Sequence, residues 1–275
     1  MKRETLSNGI VIISHNKPYD YTARLIVASR FGSIYEDKPG LAHLLEHCIL
    51  SANTDKLNSN KISEIIDFLG GKKSGKTGYK SLRLFGSTHN VNFNRFVDIF
   101  TDLVLRPKFT KSAFEKDKKV VLNELKGNID DINRRLYYLF LSGLFHNSPF
   151  TTSISTKIKV LKQITLNDIR KAYKLFFAPE NIVVGLVGNY KETTYKNIKK
   201  RLTNINNYPS PISNLAKIKI KPFCKKNIEK KSELKQVYIA TGVKTCSAEN
   251  VHLASLIIIS SLLTHKVVRL DFLKN

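Results

Sequence analysis

Leu41-Ala42-His43-Leu44-Leu45-Glu46-His47-Cys48-Ile49-Leu50 follows the breaker Pro39-Gly40 and is apolar at every position except 43, 46 and 47. Such a run predicts a helix buried around most of its circumference. Its three polar residues stand at i, i+3 and i+4, which places them on one face. Burying two imidazoles and a carboxylate without partners costs on the order of 2 kcal/mol or more for each group. Something must satisfy them. Two histidine nitrogens one helical turn apart suit a tetrahedral Zn²⁺ site, which then requires a third ligand and one open position.

A second helix is predicted over Lys111 to Lys126, with Phe114, Asp117, Val120, Val121, Glu124 and Leu125 on one stripe. Two carboxylates therefore interrupt an otherwise apolar face. Glu124 as the third metal ligand, with Asp117 two turns earlier as a carboxylate supporting the ligands, accounts for both.

Outward from these helices, the Ser7-Asn8-Gly9 turn leads into the β-branched run Ile10-Val11-Ile12-Ile13, and Tyr21 to Ser29 predicts another strand. Ile62, Ile65, Ile66 and Leu69 recur at helical spacing up to Gly70-Gly71, and Leu82 and Leu84 alternate with polar neighbours in a strand. Further helices are predicted at Phe93 to Leu105, Ile129 to Leu144, Leu166 to Phe177 and Tyr195 to Leu202, and a strand at Ile182 to Val187. Residues 205–231, rich in Asn, Pro, Ser and Lys, are expected to be a linker between a domain at 1–204 and the start of a second at 232–275. That second part carries one expected strand, Gln236 to Thr241, and one apolar helix, Val251 to Leu263. Clustered rather than alternating elements predict an α+β fold, a largely antiparallel sheet with helices layered on one face.

The 46 Lys and Arg against 22 Asp and Glu give a formal charge of +24. Lys, Asn and Ile crowd the whole chain, so the charge reads as compositional bias. No nucleic-acid-binding signature accompanies it, and no specific nucleic acid is expected as partner. Cys48, Cys224 and Cys246 are scattered and odd in number, which argues against a disulfide framework and for a reducing, cytoplasmic setting. The opening Met1-Lys2-Arg3-Glu4-Thr5 runs straight into a strand-and-turn pattern, so no targeting segment is expected. No membrane span is expected either, because Leu253 to Leu263 is too short.

His43-Leu44-Leu45-Glu46-His47 is the H-x-x-E-H motif of inverted-motif zinc peptidases. Its surroundings resemble the family of pitrilysin, insulin-degrading enzyme and mitochondrial processing peptidase. In that family 76 residues separate the second histidine from a glutamate, and here residues 48 to 123 intervene before Glu124. Leu6-Ser7-Asn8-Gly9, Gly32-Ser33-Ile34-Tyr35-Glu36, Gly40-Leu41-Ala42 and Pro179-Glu180-Asn181 match as well. The resemblance implies a zinc metalloendopeptidase in which His43, His47 and Glu124 hold zinc and Glu46 is the general base toward an activated water. It implies a peptide or small-protein substrate added as an edge strand along Lys73 to Thr77, with Ser74, Gly75 and Thr77 as substrate-binding residues.

Departures accompany the match. Ser74-Gly75-Lys76-Thr77 stands for the family's Asn-Ala-x-Thr, Asp117 for its glutamate, and Ser148-Pro149-Phe150-Thr151 for His-Pro-Tyr-Gly. Family enzymes close two homologous halves on each other, and the second half supplies an Arg and a Tyr. This chain reads as one half plus the start of another, so a second-half subunit or a homo-oligomer is the expected partner. The alternative is a non-catalytic peptide-binding or assembly subunit of a two-half peptidase.

Overall fold

The computed structural model describes residues 1–145, 148–205, 227–230, 236–243 and 253–264. Six strands form one sheet: β1 (Lys2–Thr5), β2 (Val11–Asn16), β3 (Thr22–Ser29), β4 (Lys72–Thr77), β5 (Leu82–His89) and β6 (Ile182–Gly188). Their order is β1-β2-β6-β3-β5-β4, so β4 is an edge. Only β2 and β6 run parallel, with Val11 opposite Val183; the other neighbours are antiparallel, with Leu25 opposite Gly86 and Leu186. The alternation of the strands sets which face is covered. Ala23, Leu25 and Val27 on β3, Leu82 and Leu84 on β5, and Val184 and Leu186 on β6 all point into one core.

Helices cover that face: α1 (Leu41–Leu50), α2 (Ser59–Phe68), α3 (Phe93–Leu105), α4 (Lys111–Asp130), α5 (Ile132–Leu144), α6 (Ile154–Leu161), α7 (Leu166–Phe176) and α8 (Glu192–Thr203). The helix α1 packs on β4, α4 and α7 at once, which accounts for the burial of its apolar residues on nearly every side. Stacked Phe96 and Phe100 anchor α3 beneath β5. The Thr165–Asp168 capping box starts α7, whose Tyr173 hydroxyl donates to the Val104 carbonyl. A short backbone bridge between Asn53 and Lys108 ties the segment after α1 to the one before α4.

Several expected boundaries shift. The helix α4 continues through Gly127 to Asp130, and α5 begins only at Ile132, because the Asp131 carboxylate caps it by accepting from the Asn133 and Arg134 amides. The helix α6 is an element the sequence pattern did not mark. Residues 236–243 form no strand, contrary to expectation: among the described residues no neighbour pairs with them, and an unpaired strand leaves its amides and carbonyls without a ladder. The apolar helix beyond them is present as α9 (Leu253–Thr264), with Ile257, Ile258, Ile259 and Leu262 all at least half exposed. Most of the expected linker lies outside the described residues, as do Cys224 and Cys246. Cys48 is a buried free thiol. No helix among the described residues is long and apolar enough to cross a membrane.

Candidate metal centre

The start of α1 is fixed by backbone geometry and one carboxylate. Gly40 sits at φ 96°, in the left-handed region that disfavours any side chain, and turns the chain into the helix. Glu36 reaches forward and accepts from the Gly40 and Ala42 amides at 2.8 and 2.7 Å, satisfying donors that a helix start leaves orphaned. Burial pushes the Glu36 carboxyl up, and the two amide bonds oppose that shift. At the other end Lys73, on β4, donates to the Leu50 carbonyl at 2.6 Å. The motif helix is thus clamped at both ends by side chains from neighbouring segments.

On this helix the His43 and His47 Nε2 atoms lie 3.3 Å apart, their rings edge-to-face at 80°. Glu124 Oε2, projected from the middle of α4, lies 3.6 Å from each. Zinc ligands at about 2.0–2.2 Å in tetrahedral directions stand about 3.3–3.6 Å from one another, so this donor triangle has the edge lengths of a zinc site. The donor set is also that of zinc, two imidazoles and a carboxylate. Glu124 is the most exposed of the three, so the cluster opens to solvent where a fourth ligand or a substrate enters. Burial, reinforced by neighbouring His47 and Lys157, lowers the His43 pKa to about 4. At neutral pH its ring is therefore neutral, the form that binds a metal.

Glu46 lies outside this triangle. It is 7% exposed, and its carboxylate accepts from the Thr77 hydroxyl at the end of β4. Burial raises its pKa, and the Thr77 bond is the largest influence the other way. The carboxylate also lies flat against Gly75, where a Cβ would come within 2.5 Å of Glu46 Cγ and 2.6 Å of Oε1. Gly75 and Thr77 thus face α1 and touch Glu46, while Ser74 is exposed on the alternate face of β4. Asp117 is buried beneath the last turn of α1. Its carboxylate accepts from Ser51 and faces the Cys48 thiol, and it reaches His47 only through space.

Sequence reasoning passed over Glu36, Lys73 and Lys157. The Glu36 signal was available, as an acidic residue four before the glycine that opens the motif helix. Lys157 sits on α6, stands 5.3 Å over the Tyr138 ring and bears electrostatically on both His43 and Glu36.

Comparison with known proteins agrees with this architecture. Residues 11–154 match the model described as Insulinase (Peptidase family M16), and residues 163–270 match Peptidase M16 inactive domain. An uncharacterized zinc protease of Bacillus subtilis is 22% identical over 265 residues, 96% of this chain and 64% of that protein. The mitochondrial-processing peptidase subunit beta of Dictyostelium discoideum is 25% identical over 210 residues, 74% of this chain and 44% of the relative. A crystal structure of a protease from Helicobacter pylori superposes with a TM-score of 0.68 at 24% identity, covering 82% of this chain and 53% of the other. The chain spans about half the length of most of the curated relatives it matches. A family match that holds the histidine pair, Glu46 and Glu124 and extends over more than half the residues decides the assignment: the chain belongs to the insulinase family, peptidase family M16.

Proposed function

We propose that the chain is the zinc-binding half of a metalloendopeptidase, with zinc held by His43, His47 and Glu124 and with Glu46 as general base. The observation that carries this reading is the donor triangle of 3.3, 3.6 and 3.6 Å beside a buried carboxylate that is not part of it. Relatives named zinc proteases support the metal and the reaction class. When bound, zinc supplies Lewis acidity that activates water and polarises a carbonyl.

The chain's own residues do the rest. Thr77 holds Glu46 in place, and Gly75 leaves room for that carboxylate against the strand. Burial keeps the Glu46 pKa above the ordinary carboxylate value, which suits a group that takes a proton from water and returns it to the leaving amine. The free edge of β4 offers backbone donors and acceptors to an added peptide strand. Asp117, through Ser51, braces the last turn of the motif helix.

The same reading takes residues 1–204 as this half, 205–231 as a linker and 232–275 as the start of a second half. The exposed apolar surface of α9 supports association with a complementary half, supplied by another subunit or a second copy. The rival reading, a non-catalytic subunit, draws on the match of 163–270 to an inactive domain, but that span leaves out Glu46 and all three zinc donors. Glu46→Gln decides between them. With the partner half present, the unaltered chain should cleave a quenched fluorescent peptide and Glu46→Gln should not, at equal zinc content. Equal cleavage by both, or none by either, refutes the peptidase reading.

A further inference from the structure

The connection between α3 and α4, together with α7 and α8, encloses two adjoining hollows of about 320 and 870 Å³ that share Asp55, Arg106 and Asn204. They form one groove, and its charges do not balance. Asp55 is taken by Lys108, and Asp102 pairs with Arg201 at 2.8 Å. Lys56, Lys171 and Lys200 line the groove with no carboxylate partner among the described residues, and all three are exposed. Among the described residues Arg106 reaches one carboxylate, Asp102, at 4.0 Å, and that carboxylate is already held. Half-buried Pro107 and Phe109 line the larger hollow together with Lys171, while Lys56 and Lys200 line the smaller one. The lysine excess of the chain is dispersed; here it converges on a concave surface that is apolar in part.

We propose that this groove docks an acidic polypeptide segment in which carboxylates alternate with apolar side chains. The carboxylates meet Lys56, Arg106, Lys171 and Lys200, and the apolar side chains cover Pro107 and Phe109. The Arg106 guanidinium, held only at 4.0 Å by an Asp102 carboxylate already engaged by Arg201, can match an incoming carboxylate in two hydrogen bonds, and Lys171 and Lys200 add charge from α7 and α8. The rings argue against nucleic acid. Tyr173 is buried with its hydroxyl tied to the Val104 carbonyl and presents no platform for bases, and half-buried Phe109 packs edge-to-face on it at 5.5 Å, which leaves no row of exposed rings for successive bases to stack on. The groove uses none of the zinc donors, so the proposal does not depend on peptidase activity.

Fluorescence anisotropy on the full chain tests it, with zinc removed so that no probe is cleaved. The probe is a labelled synthetic peptide of alternating Glu and Leu, compared with a Gln-and-Leu peptide and a short single-stranded DNA. The acidic peptide should bind at low salt and release as salt rises. Arg106→Glu with Lys200→Glu should weaken it at least about tenfold, and Lys171→Glu alone should weaken it less. Lys17→Glu, an exposed change away from the groove, should leave it nearly unchanged. The proposal is overturned if the groove variants weaken binding no more than Lys17→Glu, if the Gln-and-Leu peptide binds as well, or if the acidic peptide does not bind. Tighter binding by DNA, lost in the same variants, overturns it in favour of nucleic acid.

Discussion

Thr77→Val removes the hydroxyl that donates to Glu46 while keeping a side chain of nearly the same shape on β4. The carboxylate is buried, and this is the largest influence that holds its pKa down against burial. A hydrogen bond to a charged group is worth about 1.5–3 kcal/mol. Losing the bond should therefore destabilise the Glu46 anion by about that much and raise its pKa further. The sign is fixed: the anion loses a donor, so the base protonates at higher pH. A carboxyl-detected NMR titration of the zinc-free chain should show the Glu46 midpoint move upward, and on the proposed peptidase reading the acidic limb of kcat/KM measured with a partner half should move with it. Activity should recover at alkaline pH, and zinc content should not change. Thr77→Ser should restore both profiles. An unmoved midpoint and acidic limb in Thr77→Val would refute the claim that Thr77 tunes and places the base.

Other consequences follow from the clamped helix and from the histidines. Glu36→Ala strands the Gly40 and Ala42 amides, at a cost of about 1–3 kcal/mol for each buried donor; urea denaturation should show a summed loss of about 2–6 kcal/mol, and unchanged stability would contradict the capping role. In the zinc-free chain the His43 ring should titrate near pH 4 rather than 6.5. Because the unfolded ring takes up its proton first, stability should fall as pH drops from about 6.5 to about 4, and an NMR midpoint near 6.5 would contradict its burial. Lys73→Met should loosen the last turn of α1, read as faster amide exchange at its C-terminal end, since the Leu50 carbonyl loses its donor.

Much of the site was legible because buried polar groups are costly. Three polar residues on one face of an otherwise apolar helix, and a glutamate on the stripe of a second, are constraints that few arrangements satisfy, and the observed triangle is one that does. The strands of the sheet were legible from β-branched alternation. What failed depends on contacts that sequence does not carry. Gln236 to Thr241 has strand composition, but a strand exists only against a neighbour. The eight residues of α6 are too few, and too rich in Ser, Thr and Lys, for a periodic signal. The second helix was expected to end at Lys126, yet α4 passes through Gly127 to Asp130. Asp117 was expected to support the metal ligands; its carboxylate accepts from Ser51, a partner visible only once α1 and α4 are packed together. Glu36 grips amides four and six residues ahead, and its position four before the helix-opening glycine is the one sequence signal of that bond.

The most direct test of the account is the zinc content of the purified chain by mass spectrometry after dialysis against metal-free buffer. The unaltered protein and Glu46→Gln should each retain about one zinc per chain. His43→Ala, His47→Ala and Glu124→Ala should each lose it, because three protein donors leave no redundancy. Retention of a full equivalent by Glu124→Ala, or loss from Glu46→Gln as complete as from His47→Ala, would contradict the assignment of ligands and base.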